Sequence, residues 1–193
     1  MTSVHSPLAV PNIHFTAPLY SDYTVSGVAL GTGANAPTMR VFRGGIELPT
    51  FAGSGPVEEG FFTIHLLHDI MPKTLPTFHI HWGHIIASPT GNVKWQVEYS
   101  IAKGYEQEAY PSPTTLSTTH AAGAQYSHHI TNDDDMAITE AVEPDMVILG
   151  RIFRDASEDT FVNDAYLIQV DMHYQVGQIG TPERNAPFTS DYA

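Results

Sequence analysis

Two histidines, His79 and His81, stand two residues apart in the run Thr77-Phe78-His79-Ile80-His81-Trp82-Gly83-His84. Successive side chains of a β-strand point to opposite faces, so both imidazoles leave one side while Phe78, Ile80, Trp82 and His84 leave the other. Two imidazoles placed this way can bind one metal ion, as the His-x-His of cupin-type sites on β-barrels does. A third ligand could come from His173, Asp171 or Glu98, each on the polar side of its own strand pattern. Against this reading, the cupin pattern places a glutamate shortly after the pair, and here Trp82, Gly83, His84, Ile85 and Ile86 follow. The competing reading is a polar sheet face whose histidines bond to neighbours or pack across a subunit interface. The pattern therefore commits the chain to no metal and no cofactor. His128 and His129 are adjacent, so on a strand they face opposite ways and chelate poorly.

Other chemistries find less support. Glu98 and Asp171 are the carboxylates that a glycosidase-type acid–base pair would use, although sequence does not set their separation. Asp133-Asp134-Asp135 lacks the spaced ligands and the glycine of a calcium loop and reads as a solvated acidic turn, as do Asp155, Glu158 and Asp159. There is no cysteine, no Gly-x-Ser-x-Gly elbow and no phosphate-binding glycine loop. Trp82, Trp95, Tyr99, Tyr166 and Tyr174 fall on apolar strand faces and read as core, which leaves Tyr105 and Tyr110 as loop aromatics able to meet a sugar.

The elements that must position these residues are strands. Val93, Trp95, Val97, Tyr99 and Ile101 alternate with Lys94, Gln96, Glu98 and Ser100, the period of a half-buried antiparallel strand. Phe62, Ile64 and Leu66 form the inward set of a strand over 60–68. Tyr166, Ile168, Val170, Met172 and Tyr174 alternate with Gln169, Asp171 and His173. Met146 to Phe153 is nearly all apolar and predicts a central strand covered on both faces at its start. The glycine pair Gly44-Gly45 between 39–43 and 46–48 predicts a hairpin. Two weak strands are expected within 114–130, and 136–142 reads as a short helix or a strand, with strand preferred. No stretch carries a convincing helical period. The spacing of turns predicts an all-β fold, a jelly-roll-like antiparallel β-sandwich. An extended N-terminal arm (1–34), with a short strand near 12–15, precedes the sandwich domain (35–178), and an extended C-terminal tail (179–193) follows it.

Bulk composition narrows the partners. Of 193 residues, 42% are hydrophobic, enough for one β domain with a real core. Twenty-one acidic residues against 8 basic ones give a formal net charge of -13, which argues against nucleic acid and anionic membrane as partners. No apolar run approaches the roughly 20 residues of a membrane-spanning helix. The first residues lack the charged start and apolar run of a secretory leader, and with the missing cysteines this predicts a soluble protein made in a cytoplasm.

Several motifs together resemble a known group. Phe78-His79-Ile80-His81-Trp82-Gly83-His84, Glu143-Pro144-Asp145 before an apolar strand, Val170-Asp171-Met172-His173-Tyr174-Gln175, Gln178-Ile179-Gly180-Thr181 and the Asn185-Ala186-Pro187-Phe188 tail look like a family of bacteriophage and prophage virion proteins of uncharacterised role. The resemblance spans roughly residues 40 to 190. It implies a structural part of a phage particle and does not identify which part. A small, acidic, cysteine-free β-sandwich with extended termini suits a capsid decoration (cement) protein in the virion head, a class whose members resemble one another as jelly-roll-like trimers, so a homotrimer bound to the major capsid protein or another virion protein is expected. The resemblance brings no catalytic or ligand residues with it. Two other readings stand beside it. One is a head or tail fibre component that binds a receptor or glycan, and the other a cupin-like metalloenzyme using His79, His81 and His173.

Overall fold

The computed structural model describes residues 18–24, 29–30, 35–104, 106–131 and 134–177. These residues fold as an all-β sandwich of two antiparallel sheets. The strands are β1 (Leu19–Thr24), β2 (Ala29–Leu30), β3 (Thr38–Arg43), β4 (Ile46–Phe51), β5 (Glu58–His65), β6 (Thr77–Gly83), β7 (Asn92–Lys103), β8 (Thr114–Ala121), β9 (His129–Ile130), β10 (Met146–Arg154) and β11 (Ala165–Val176). The first sheet runs β3-β4-β11-β6-β9, with β1 also paired to β11, and the second runs β2-β5-β10-β7-β8. Successive strands such as β5 and β6, β6 and β7, or β10 and β11 lie in opposite sheets, so the chain repeatedly crosses between layers. Each strand can then bury its apolar side against the other sheet. No helix among the described residues is long and apolar enough to cross a membrane.

The alternation in the sequence sets the core. Phe62, Ile64, Phe78, Ile80, Trp82, Val93, Trp95, Val97, Tyr99 and Ile101 are all buried in one cluster between the sheets. Edge-to-face ring contacts lock it, Phe51 on Trp95 at 5.1 Å and Phe62 on Phe78 at 5.8 Å between centroids. Gly150 lies directly under the Phe62 ring, where an added Cβ would come within 2.2 Å of Cζ, so only glycine leaves the ring room. The hairpin predicted at Gly44-Gly45 joins β3 to β4, and Gly44 takes the left-handed conformation the turn needs (φ 62°).

Four expectations need correction. In β11 a bulge between Leu167 and Gln169 inserts one residue against β6 and reverses the alternation. Leu167 therefore points inward and Ile168 is exposed. Tyr166 is buried, but outside the core cluster, beneath Phe42. In β10 the covered end is the opposite one. Leu149 near its start is exposed, while Ile152, Phe153 and Arg154 at its end are buried, because the loop from 155 to 163 folds back over that end. Residues 136–142 form no strand beyond an isolated bridge between Thr77 and Ala137. A short 3-10 turn (Asp134–Met136) and irregular chain instead drop Met136, Ile138 and Val142 into the core. Within 1–34, β1 and β2 are sheet strands, paired with β11 and β5 respectively. The predicted strand near 12–15 and the tail 179–193 lie outside the described residues. The two weak strands expected in 114–130 are present as β8 and β9.

Candidate functional site

β6 and β11 are neighbours in the middle of the first sheet, registered so that His79 stands opposite Asp171 and His81 opposite Gln169. Because Phe78, Ile80, Trp82, Val170 and Met172 point into the core, His79, His81, Asp171 and His173 must share the outward face of this sheet. That face gathers a cluster of imidazoles around one carboxylate. His81 Nε2 lies 2.9 Å from Asp171 Oδ2. His81 Nδ1 lies 2.7 Å from His128 Nε2, the two rings stacked at 4.9 Å. His79 Nδ1 is 3.4 Å from Asp171 Oδ1. His173 packs on His79 at 5.3 Å between ring centroids, with Tyr20 at its edge and Asp22 Oδ1 4.0 Å from its Nε2.

Although the face is outward, its centre is shielded. The side chains of His79, His81 and Asp171 are only 11%, 15% and 8% exposed. Asp171 Oδ1 is buried without a hydrogen-bond partner, since 3.4 Å to His79 exceeds a normal N–H···O bond. Burial alone would push the Asp171 carboxyl up. The contacts to His79 and His81 outweigh it and hold the carboxyl below its ordinary value, so the group is ionised. The arrangement offers two imidazole nitrogens and a carboxylate to one point, a donor set suited to a divalent metal ion or a proton relay.

The candidates from sequence separate in space. His79, His81 and Asp171 come together, and His173 sits beside His79 in an overlapping group with Asp22. Glu98 does not join them. It projects from the outer face of the second sheet, bound with Glu59 to Arg151 at 3.0 and 2.6 Å. Glu98 and Asp171 therefore point away from each other across the sandwich and cannot form a glycosidase pair, because the inward sets of both strands already fill the core. Tyr110 is exposed and Tyr105 lies outside the described residues. Asp134 and Asp135 are exposed as expected, whereas the Asp159 side chain is 1% exposed and paired with Arg154. Sequence reasoning set His128 aside as half of a poor chelating pair and did not single out Asp22. The opposite facing of His128 and His129, which disqualified them as a pair, is what delivers His128 alone to His81. No alternating pattern in 19–24 signalled that Asp22 would reach this face.

A second group of histidines lies inside. His84 Nε2 donates to the Gly123 carbonyl at 3.1 Å, while its Nδ1 accepts the Ile86 N–H at 3.2 Å. That pair of partners fixes a neutral ring. His129 stacks on Trp82 at 4.5 Å and on His84 at 5.7 Å, with its Nε2 buried and unpaired. Burial pushes both below the ordinary value of 6.5, and His120, His84 and His128 push His129 further down. The unfolded chain thus takes up protons near pH 6.5 that the folded chain refuses, so stability falls as pH drops below that value. Each such proton contributes a slope of up to about 1.4 kcal/mol per pH unit. Urea unfolding at pH 8 and pH 5.5 should show this loss. His129→Phe, which keeps the stack and removes one titrating ring, should reduce the slope to the share of His84, and an unchanged acid slope in that variant would assign the effect elsewhere.

No protein-family model matches the chain, and no curated protein sequence does. Among solved structures, the chain is similar to an isomalto-dextranase of Arthrobacter globiformis T6 complexed with panose, at 11% identity and a TM-score of 0.43. That likeness covers 79% of this chain and 23% of the other, so the chain spans about a quarter of that enzyme's length. It is also similar to TmCBM61 in complex with β-1,4-galactotriose, at 7% identity and a TM-score of 0.30, covering 81% of this chain and 88% of that one.

Proposed function

We propose that this chain is a structural subunit of a bacteriophage particle, a capsid decoration protein that assembles as a homotrimer and binds the major capsid protein. The motif resemblance supports the virion setting. The observation that carries the assembly reading is the β3–β4 hairpin at the end of the first sheet. Among the described residues β3 pairs only with β4, so the main-chain groups along its other side meet no other described strand. Met39, Val41 and Ile46 on this hairpin are 46%, 49% and 63% exposed. A free edge bearing apolar side chains invites strand addition from another chain. The edge also carries Arg40 and Arg43, two of only 8 basic residues in a chain of net charge -13. A basic edge on an acidic body is complementary to the body of a second copy.

Light scattering of the purified protein should give three times the monomer mass. Val41→Glu, on an exposed position that holds no core contact, should release folded monomers, with far-ultraviolet dichroism unchanged and the melting temperature no longer dependent on protein concentration. A wild-type monomer that also fails to bind empty shells of its phage would overturn the proposal. So would a trimer indifferent to charge at Met39 and Val41, which would remove the hairpin as its interface.

A further inference from the structure

We propose that His79, His81 and Asp171 form a binding site for one divalent first-row transition metal ion of the zinc or cobalt type, with His128 as the positioning residue of His81. The proposal is independent of the virion reading.

The donor set is two imidazoles and one carboxylate, the combination such ions take in sites that keep further positions for water or substrate. Metal–ligand bonds of about 2.0–2.1 Å place neighbouring donors about 3–3.4 Å apart in tetrahedral or octahedral geometry. The observed separations are 2.9 Å from His81 Nε2 to Asp171 Oδ2 and 3.4 Å from His79 Nδ1 to Asp171 Oδ1. Each imidazole thus stands at such a separation from one carboxylate oxygen, and one ligand atom from each of the three residues lies within 4.8 Å of the others, so small side-chain shifts bring them onto one ion. They come from the centres of two paired strands in the middle of a sheet, so the backbone holds the spacing.

A second observation points to a ligand. Asp171 is more than nine-tenths buried, yet its Oδ1 has no hydrogen-bond partner. A buried carboxylate oxygen left unsatisfied is costly, and a cation between it and the two imidazoles removes the cost. The outer contacts fit as well. A histidine that ligates through one nitrogen usually donates its other N–H to a fixed acceptor. His81 would ligate through Nε2, and His128 Nε2 stands 2.7 Å from His81 Nδ1 to receive that proton.

The overlapping group of Asp22, His79 and His173 is the weaker candidate, because Asp22 is 59% exposed and 4.0 Å from His173. Asp171, not His173, thus supplies the third ligand, and His173 packs against the His79 ring.

The test uses the full chain, stripped with EDTA and titrated with zinc by calorimetry and with cobalt by visible absorption. One equivalent is expected, with cobalt bands of a nitrogen–oxygen site of low coordination number and a rise of several degrees in melting temperature on adding zinc. His81→Ala and Asp171→Asn should each abolish the thermal shift and the cobalt bands. His128→Ala should weaken affinity about 10–100-fold while keeping one equivalent. His65 and His68, which share Asp145 at 3.0 and 3.5 Å, are the competing surface site. His65→Ala/His68→Ala should leave binding unchanged. Far-ultraviolet dichroism establishes that each variant is folded, and where His81→Ala is not, Asp171→Asn and His128→Ala carry the test. Absence of zinc binding by the wild type, survival of binding in Asp171→Asn, or its loss in the His65/His68 double variant would overturn the proposal.

Discussion

Replacing Arg154 with leucine is expected to lower the unfolding free energy by about 3–5 kcal/mol, the range for breaking a buried ion pair by removing one partner. Arg154 occupies an inward position at the end of β10, and its side chain is fully buried. Its guanidinium uses every donor. Nε binds Asp159 Oδ2 at 2.7 Å, Nη1 binds the carbonyls of Phe51 at 3.0 Å and Asn163 at 2.8 Å, and Nη2 reaches Asp159 Oδ1 at 3.3 Å and the Phe161 carbonyl. One side chain therefore ties the loop from 155 to 163 down over β10 and joins it to the last residue of β4. Leucine would strand the Asp159 carboxylate and three carbonyl oxygens in a dry site. Lysine would fare little better, since a single ammonium cannot reproduce a planar fork that meets four acceptor groups. Total stabilities of about 5–15 kcal/mol make this loss a large share of the whole. Urea unfolding at pH 7.5 measures it. Replacing both partners by leucine should recover part of the loss, because no lone charge then remains buried. A single-variant loss below about 1 kcal/mol would show the loop is held by other contacts.

This ion pair marks the boundary of what the chain discloses through its pattern. Period-two alternation identified the buried sides of β5, β6 and β7 because none of them carries a bulge of its own and each hides one face. It failed at β11, where a bulge shifts the phase after Leu167. A bulge depends on the partner strand, and no local residue announces this one. It failed again at Arg154 and Asp159, whose charge reads as surface when each is taken alone. Only the fold-back of the loop makes them partners. The functional face was half visible. His79, His81, Asp171 and His173 could be assigned to polar faces of two strands from spacing. That β6 and β11 are neighbours, with His79 registered opposite Asp171, is a long-range pairing that periodicity does not encode. His128 arrives from the residue just before the two-residue β9 and Asp22 from β1, neither of which carries a pattern that points its side chain at this face.

Trp82 shows how far the central stretch fixes the rest. Truncation to alanine is expected to cost about 3–5 kcal/mol, the range for removing a large aromatic from a packed core. The indole is fully buried at the hinge between the main core and the inner histidines, 6.3 Å from Trp95 and stacked at 4.5 Å on His129. Alanine would open a void beside both, and His129 would lose the ring that covers it. Phenylalanine should behave differently. The Trp82 Nε1–H is buried with no acceptor, an existing cost of about 1–3 kcal/mol that a phenyl ring removes. The gain offsets much of the lost volume, so Trp82→Phe should lose less than half of what Trp82→Ala loses. Paired urea unfolding curves for the two variants decide the matter. Equal losses would mean that ring size alone governs the site and that the indole N–H is satisfied in solution. A phenylalanine variant close to wild type would instead show that this core tolerates its unpaired donor for the sake of packing, with β6 still held in the register that sets His79 and His81 against Asp171.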